Sequence, residues 1–185
     1  MGGVYLDGWW QTEKYFEEIG DELRKEITLI KPLSSYSKEI QDKIQNTNAI
    51  SLHVRRADMV IDPHMANFHG TCTIDYYNKA IEFISKSVSS PHFFVFSDDY
   101  NWSVEHFKSI KYETTIIKNG ADKNYEDIIL MSKCKHHIIA NSSFSWWGAW
   151  LNPNKNKIVI APKKWFANAP KTNTKDLIPN NWIKL

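Results

Sequence analysis

The predicted fold depends first on the segment Ala49-Ile50-Ser51-Leu52-His53-Val54 and on the Arg55-Arg56-Ala57-Asp58 that follows it. The first six residues are mostly apolar, as in a short strand that is buried on both faces. Comparable apolar runs follow at residues 92–96, 114–117, 137–140 and 158–161. Helical patterns lie between most of them, at residues 74–88, 101–107, 125–134 and 144–151. Because strands that alternate with helices build a parallel sheet covered on both faces, the sequence predicts an α/β fold.

The composition is that of a globular domain of ordinary size. The chain has 185 residues, of which 42% are hydrophobic and 24% charged. The formal net charge is only +2 and the basic residues are scattered, so nucleic acid is not expected as a partner. Cys72 and Cys134 are far apart, so neither a zinc site nor a disulfide framework is expected. With no signal peptide pattern and no membrane-span pattern, the sequence favours a cytoplasmic protein.

The first part of the chain differs from the rest. After a turn signal at Asp7-Gly8, helical patterns run from Trp10 to Ile27, and Ser37 is predicted to cap a further short helix. The regular alternation begins only at the first strand, so we divide the chain into residues 1–46 and 47–185. The tail from Lys163 onward is rich in Pro, Asn and Lys, and we expect it to wrap the surface.

The exit of the first strand carries two adjacent arginines. Side chains alternate along a strand, so His53 and Arg55 should point to one face and Arg56 to the other. A guanidinium at this position matches phosphate oxygens and stays charged. We therefore predict that Arg55 binds a diphosphate and that His53 contacts the base or its neighbouring groups. The alternative interpretation of the motif is structural: Arg56 and Asp58 form a surface ion pair. We expect that ion pair whether or not Arg55 binds a diphosphate.

Two interpretations of Asp127 stay open at this point. Asn124 and Asp127 have the spacing of a capping box at the start of a helix. The same carboxylate could instead accept hydrogen bonds from N1 and N2 of guanine, a donor pair that adenine does not present in this way. The sequence alone does not separate a helix cap from a base-selecting residue.

The segment Asn141-Ser142-Ser143-Phe144-Ser145-Trp146-Trp147-Gly148 leads from a buried strand into an apolar helix. Free backbone N–H groups at a helix start, with serine side chains beside them, can bind phosphate. Ser142 or Ser143 is also expected to cap the helix. Phe144, Trp147 and Leu151 recur at helical spacing, which favours core packing. Phe144 nevertheless stays among the candidate substrate-binding residues, together with Ser142 and Ser143.

The pair Asp98-Asp99 raises the alternative of a metal-bound diphosphate. Adjacent aspartates on an extended chain point to opposite sides, so they rarely reach one ion. We predict instead that Asp98 caps the next helix. The histidines lack ligand spacing, and we expect neither a metal nor a cofactor.

Three ordered motifs together resemble glycosyltransferase family 11, the α-1,2-fucosyltransferases. They are His53-Val54-Arg55-Arg56-Ala57-Asp58, Phe96-Ser97-Asp98-Asp99 and Asn141 to Trp150. The lead-in from Leu6 to Phe16 looks like the same family, so the resemblance spans nearly the whole chain. It implies the GT-B fold of two facing Rossmann-like halves and an inverting, metal-independent transfer of fucose from GDP-β-L-fucose to a galactoside hydroxyl.

The resemblance also implies roles for single residues. His53 and Asp127 would bind guanosine, Arg55 would hold the diphosphate and steady the departing GDP, and Ser143 would donate to a phosphate oxygen. Asp58 and Asp62 are candidates to take the proton of the acceptor hydroxyl, although a structural role is favoured for each. Residues 47–185 would then be the Rossmann-like domain that binds GDP-fucose.

Two departures from the family pattern bear on these expectations. Ala57 stands where members usually carry Gly, which should change little. The Gly-rich opening segment of the family is absent, so residues 1–46 are interpreted as a helical lead-in from an acceptor-side domain that is mostly missing. The alternative function is therefore a nucleotide-sugar-binding fragment or degenerate module. For the full-length protein, peripheral membrane association and a Golgi lumenal origin are further alternatives.

Overall fold

The computed structural model describes Gly3, Tyr5 and residues 11–185. The predicted turn at Asp7-Gly8 and the helical position Trp10 lie outside the described residues. Within the described part, parallel strands form one sheet of six. They are Asn48–Val54 (β1), Pro91–Ser97 (β2), Glu113–Ile116 (β3), His136–Ile138 (β4), Val159–Ala161 (β5) and Ile183–Lys184 (β6).

The strands lie in the order β3-β2-β1-β4-β5-β6. The chain moves outward from β1 to β3, crosses back to β4 and then moves outward in the other direction. The sheet therefore has a switch point between β1 and β4, and folds of this kind bind ligands there, beyond the carboxyl ends of the strands. The predicted parallel α/β fold is confirmed, and the sixth strand was not predicted.

Helices cover both faces of the sheet. They are Gly20–Glu26 (α1), Ser35–Gln45 (α2), Ala57–Ile61 (α3), Pro63–Phe68 (α4), Ile74–Ser85 (α5), Tyr100–Phe107 (α6), Asn124–Lys133 (α7) and Ser143–Leu151 (α8). Short 3-10 turns lie at Glu13–Tyr15, Glu17–Ile19 and Ala121–Lys123. None of the helices in the described residues is both long and apolar enough to cross a bilayer.

The two layers follow from the alternation of side chains along β1. Ile50 and Leu52 point to one face, where they are buried against α5 and α6. Ala49 belongs to the other face, where it is buried with residues of α2 and α7 such as Ile44 and Leu130. Helix α5 presents Tyr77, Ala80, Ile81 and Ile84 at helical spacing, and Thr73 accepts a hydrogen bond from the amide of Tyr76 at its start.

The tail does more than wrap the surface. Leu177, Ile178 and Trp182 are buried, and β6 pairs with β5 at the edge of the sheet. Trp146, whose placement the sequence left undecided, is buried in the same cluster, and its indole N–H donates to the carbonyl of Leu177 at 2.9 Å. Most of the tail is exposed, as predicted, but four buried apolar side chains within it, Trp165, Leu177, Ile178 and Trp182, also complete the core beside α8.

The lead-in packs against the aromatic side chains of α8. Phe16 stacks on Trp147 at 5.3 Å between ring centroids and meets Trp150 edge-on at 5.0 Å. The predicted cap at Ser37 is wrong by one turn, because Ser34 is the cap and its hydroxyl accepts from the amide of Ser37. The division of the chain at residue 46 stays a prediction.

Candidate active site

A cavity of about 800 Å³ opens at the carboxyl ends of the strands, around the switch point. Its wall includes every residue of the predicted site, namely His53, Arg55, Asp58, Asp127, Ser142, Ser143 and Phe144. Asp62 is not part of the wall; its carboxylate accepts from the amide of His64 at 2.8 Å and caps α4. The sheet order thus brings together residues from segments that are distant in sequence.

Arg55 is held between two carboxylates. Its Nη2 lies 2.7 Å from Oδ1 of Asp58 and its Nη1 lies 2.6 Å from Oδ2 of Asp98. The side chain is 33% exposed and lines the cavity. A guanidinium has five N–H groups, so these two contacts leave donors for an anion in the cavity.

The expected pair between Arg56 and Asp58 is wrong, although the expected alternation of the arginines is correct. Arg56 lies on the other side of the strand, with Nε at 3.4 Å from Asp99 and its guanidinium 4.4 Å above the ring of Trp102. Asp58 therefore pairs with Arg55, which lies on the same side of the chain.

The helix cap expected at Asp98 is formed by Asp99 instead. Asp99 caps α6, with Oδ1 accepting from the amide of Trp102 at 3.1 Å. Asp98 bridges the Arg55 side chain and the backbone N–H of Arg56, at 2.6 and 2.8 Å. The two carboxylates thus serve different partners. Among the described residues, no three His, Cys, Asp or Glu side chains form a group that could hold a metal ion.

His53 presents an unsatisfied nitrogen. The side chain is only 5% exposed and lies 5.6 Å from the ring of Phe144. Its Nδ1 has no hydrogen-bond partner among the described residues, which is unusual for a buried polar atom. Burial, together with the charge of Arg55, lowers the pKa of His53 to about 3. The ring is therefore neutral at physiological pH, and a ligand in the cavity can supply the missing partner.

Asp127 does not form the capping box that its spacing allowed. Helix α7 begins without a side-chain cap, and Oδ1 of Asp127 accepts instead from Nδ2 of Asn119 at 2.6 Å. Asn119 also donates to the hydroxyl of Ser37 on α2. Burial raises the pKa of Asp127 to about 6, against the opposing effect of the Asn119 hydrogen bond. Asn119 was not predicted, although its position just after the third strand places it at the edge of the sheet where the cavity opens.

The start of α8 faces the cavity. Ser142 occupies the N-cap position but makes no capping hydrogen bond with its side chain, so the expected serine cap is wrong. The first N–H groups of a helix have no partner within it, and Ser142, Ser143 and Phe144 all line the cavity here. Phe144 is half-buried: it packs against the core beside α2 and α7, as its helical spacing predicted, and it also lines the cavity.

Asn141 links two loops of the cavity wall. Its buried Nδ2 lies 3.1 Å from the carbonyl oxygens of His69, Gly70 and Trp165. Its Oδ1 accepts from the thiol of Cys72 at 3.5 Å. One amide at the end of β4 thus ties the loop before α5 to the loop after β5.

These features define a class of protein. A parallel sheet with this strand order, with a cationic side chain at the exit of β1 and a helix start at the exit of β4, is the architecture of a Rossmann-like α/β domain. Both groups lie at the exits of the two strands that flank the switch point.

The chain belongs to glycosyl transferase family 11, whose model matches residues 2–185. It is 40% identical over 185 residues to an alpha-1,2-colitosyltransferase of Escherichia coli, covering 100% of this chain and 63% of that protein. It is 41% identical over 159 residues to the O-antigen biosynthesis glycosyltransferase WbnK of Escherichia coli, covering 86% of this chain and 51% of WbnK. It is 22% identical over 147 residues to human galactoside alpha-(1,2)-fucosyltransferase 1, covering 74% and 40%.

The family resemblance drawn from the motifs is thereby confirmed, and the fold is consistent with one Rossmann-like half of a GT-B glycosyltransferase. The chain spans 51–63% of the length of the two Escherichia coli relatives.

Proposed function

We propose that this chain binds the nucleotide-sugar donor of a family 11 glycosyltransferase, GDP-β-L-fucose, and takes part in its transfer to a galactoside hydroxyl. The observation that carries the proposal is that the guanidinium of Arg55 and the start of α8 at Ser143 face one cavity across the switch point. A diphosphate between them would receive charged hydrogen bonds from one side and backbone N–H groups from the other.

The base would lie toward α7. The carboxylate of Asp127 can accept from N1–H and the exocyclic N2–H of guanine, while Asn119 fixes its orientation through Oδ1. The buried Nδ1 of His53 offers a further hydrogen-bonding group in the same wall. Adenine lacks the matching pair of donors, so this arrangement favours a guanine nucleotide.

The transfer would use groups that are already in place. As the bond from the sugar to the diphosphate breaks, negative charge builds on the departing GDP and is stabilised by Arg55 and the first N–H groups of α8. We propose that this pre-set positive charge replaces a divalent ion, and that no cofactor beyond the donor is needed.

An inverting transfer also needs a group that takes the proton from the acceptor hydroxyl. Asp58 and Asp98 are the cavity carboxylates beside Arg55. Asp98 uses both oxygens, for Arg55 and for the amide of Arg56, whereas the contacts of Asp58 with Arg55 and with the amide of Met59 fall on Oδ1. Asp58 is therefore the better candidate for the base.

The first test compares GDP with ADP by isothermal titration calorimetry. GDP should bind at least tenfold more tightly than ADP, and Arg55→Ala should weaken GDP binding by more than about an order of magnitude. Arg56→Ala is the matched control, because that side chain lies on the other side of the strand, and it should leave GDP binding unchanged. Equal binding of the two nucleotides would exclude the guanine role of Asp127, and an unaffected Arg55→Ala variant would exclude the diphosphate site.

A second candidate function is a donor-binding module that does not transfer sugar on its own. It is favoured by the coverage of only 51–63% of the Escherichia coli relatives. Incubating the chain with GDP-fucose and a galactoside decides between them. Fucosylated product formed by this chain alone excludes the module, and donor binding without product favours it.

A further inference from the structure

The cavity continues beyond the proposed phosphate site to the end of β5, where three rings meet. Phe68, His69 and Phe166 have centroid separations of 4.8 Å, 5.1 Å and 5.4 Å, and all three line the cavity. Phe68 is 40% exposed although it is a large apolar side chain. We call these three residues the ring platform.

The backbone beneath the ring platform is held firmly. The amide of Ala167 donates to the carbonyl of His69 at 3.0 Å, and the amide of Asn168 donates to that of Phe68 at 3.2 Å. Gly70 adopts a φ of +63°, and a Cβ there would lie 2.8 Å from the Cβ of Ala167. The two loops therefore approach as closely as a glycine allows, so the rings form a preformed surface rather than a loose cluster.

Polar groups complete this end of the cavity. Thr172, Asn173 and Asp176 line it together with the rings, and Asp176 is fixed by Lys14 at 2.7 Å. A pyranose ring has an apolar face of C–H groups and an edge of hydroxyls. A preformed aromatic surface beside a hydroxyl, an amide and a carboxylate offers both kinds of contact, which is the usual make-up of a small-molecule site.

The order of the strands places this surface beyond the diphosphate. Asn119 and Asp127 follow β3, Arg55 follows β1, and Phe166 follows β5. From β3 to β5 there are four strand spacings, about 19 Å in all. A nucleotide sugar laid along this edge has its base at one end, its diphosphate at the switch point and its sugar toward β5.

From this juxtaposition, the structure assigns the ring platform as the subsite for the transferred deoxyhexose of the donor, with Phe68 and Phe166 against the C–H face of the sugar. The assignment rests on the proposed function, since it needs the diphosphate between Arg55 and α8.

The test measures what the sugar adds to binding. The dissociation constants of GDP and of GDP-β-L-fucose are determined by calorimetry for the wild-type chain, Phe68→Ala and Phe83→Ala. Phe83 is the matched control, because it is 41% exposed on α5 and does not line the cavity. Phe68→Ala should weaken GDP-fucose about three- to tenfold and leave GDP unchanged. Phe83→Ala should change neither.

Other results would overturn either the assignment of the ring platform or the proposed function. A parallel loss for GDP and GDP-fucose in Phe68→Ala places the rings at the base or the phosphates and overturns the assignment. Unchanged binding of both ligands in Phe68→Ala, or equal binding of both by the wild type, overturns it as well. A wild-type chain that does not bind GDP refutes the proposed function itself. Phe68→Leu, which keeps an apolar side chain without the ring, should also lose affinity for GDP-fucose alone.

Discussion

The two halves of the cavity are built in different ways. The charged half, beside β1 to β3, is lined by Arg55, Asp58, Asp98 and Asp127, and these side chains are held by side chains and amides nearby. The aromatic half, beside β4 and β5, is lined by Phe68, His69, Trp165 and Phe166. Its loops are held by backbone hydrogen bonds and by one buried amide.

The difference indicates what each half can do. Ion pairs at a partly exposed wall are screened by water and salt, so their partners can be exchanged for a phosphate at modest cost. In the described part of the chain, the aromatic half has no such exchangeable ion pairs beneath its rings, because backbone hydrogen bonds hold its two loops together. The charged half is therefore suited to recognising charge, and the aromatic half to recognising shape.

Removing the side-chain amide of Asn141, which supports the aromatic half, should have the largest effect on stability. Asn141→Ala removes the amide donor that the carbonyls of His69, Gly70 and Trp165 share, and among the described residues only the carbonyl of His69 keeps a second donor, the amide of Ala167. We expect the free energy of unfolding to fall by about 3 kcal/mol, measured by urea denaturation. Asn46→Ala is the control, since Asn46 donates to a single exposed carbonyl at the end of α2 and its loss should cost less than about 1 kcal/mol. Equal losses for the two variants would contradict the central role of Asn141.

A smaller loss of stability is expected for a substitution at the point where the two loops of the aromatic half touch. Gly70→Ala puts a side chain on a left-handed backbone and brings its Cβ to 2.8 Å from that of Ala167. The free energy of unfolding should fall by about 2 kcal/mol. The same change in an Ala167→Gly background should cost about 1 kcal/mol, because only the backbone strain remains. Equal costs in both backgrounds would show that the loops do not approach as closely as described.

The affinity of the charged half for the donor should depend on pH. The expected change in binding free energy is the smallest of the three effects. The pKa of Asp127 is raised to about 6, so the carboxylate is protonated as the pH falls through 6 and the proposed acceptor for guanine is lost. The affinity for GDP-fucose should be constant above pH 7 and about tenfold lower at pH 5. The donor is used in place of GDP because its diphosphate diester does not titrate in this range. His53, with a pKa of about 3, stays neutral throughout.

Asp127→Asn separates this effect from other titrations. The variant should bind GDP-fucose weakly and with no pH dependence between pH 5 and 7. A wild-type affinity that does not change over this range, or a variant that retains the full pH dependence, would remove Asp127 from the base site.

The sequence predicted the residues of the site better than their contacts. The strand pattern located the exits of β1 and β4, so His53, Arg55, Ser142 and Ser143 were correctly expected at one edge of the sheet. The predicted contacts were mostly wrong. Asp98, for example, was expected to cap a helix but contacts Arg55, which is 43 positions away in sequence. Local spacing suggested caps for Asp98 and Asp127, because a cap is the partner that lies nearest in sequence.

The sequence by itself determined the layered α/β organisation and the opposite directions of Arg55 and Arg56. Both follow from local periodicity, since side chains alternate along any strand and recur at fixed spacing on any helix. Tertiary structure alone decided that Arg55 meets Asp98, that Asn119 holds Asp127 and that Asn141 ties the loop after β5. The contacts of Arg55 and Asn141 depend on the order β3-β2-β1-β4-β5-β6, which brings distant segments to one edge and which no local pattern encodes. Asn119 and Asp127 are only eight positions apart, and their contact depends on how the chain turns between β3 and α7.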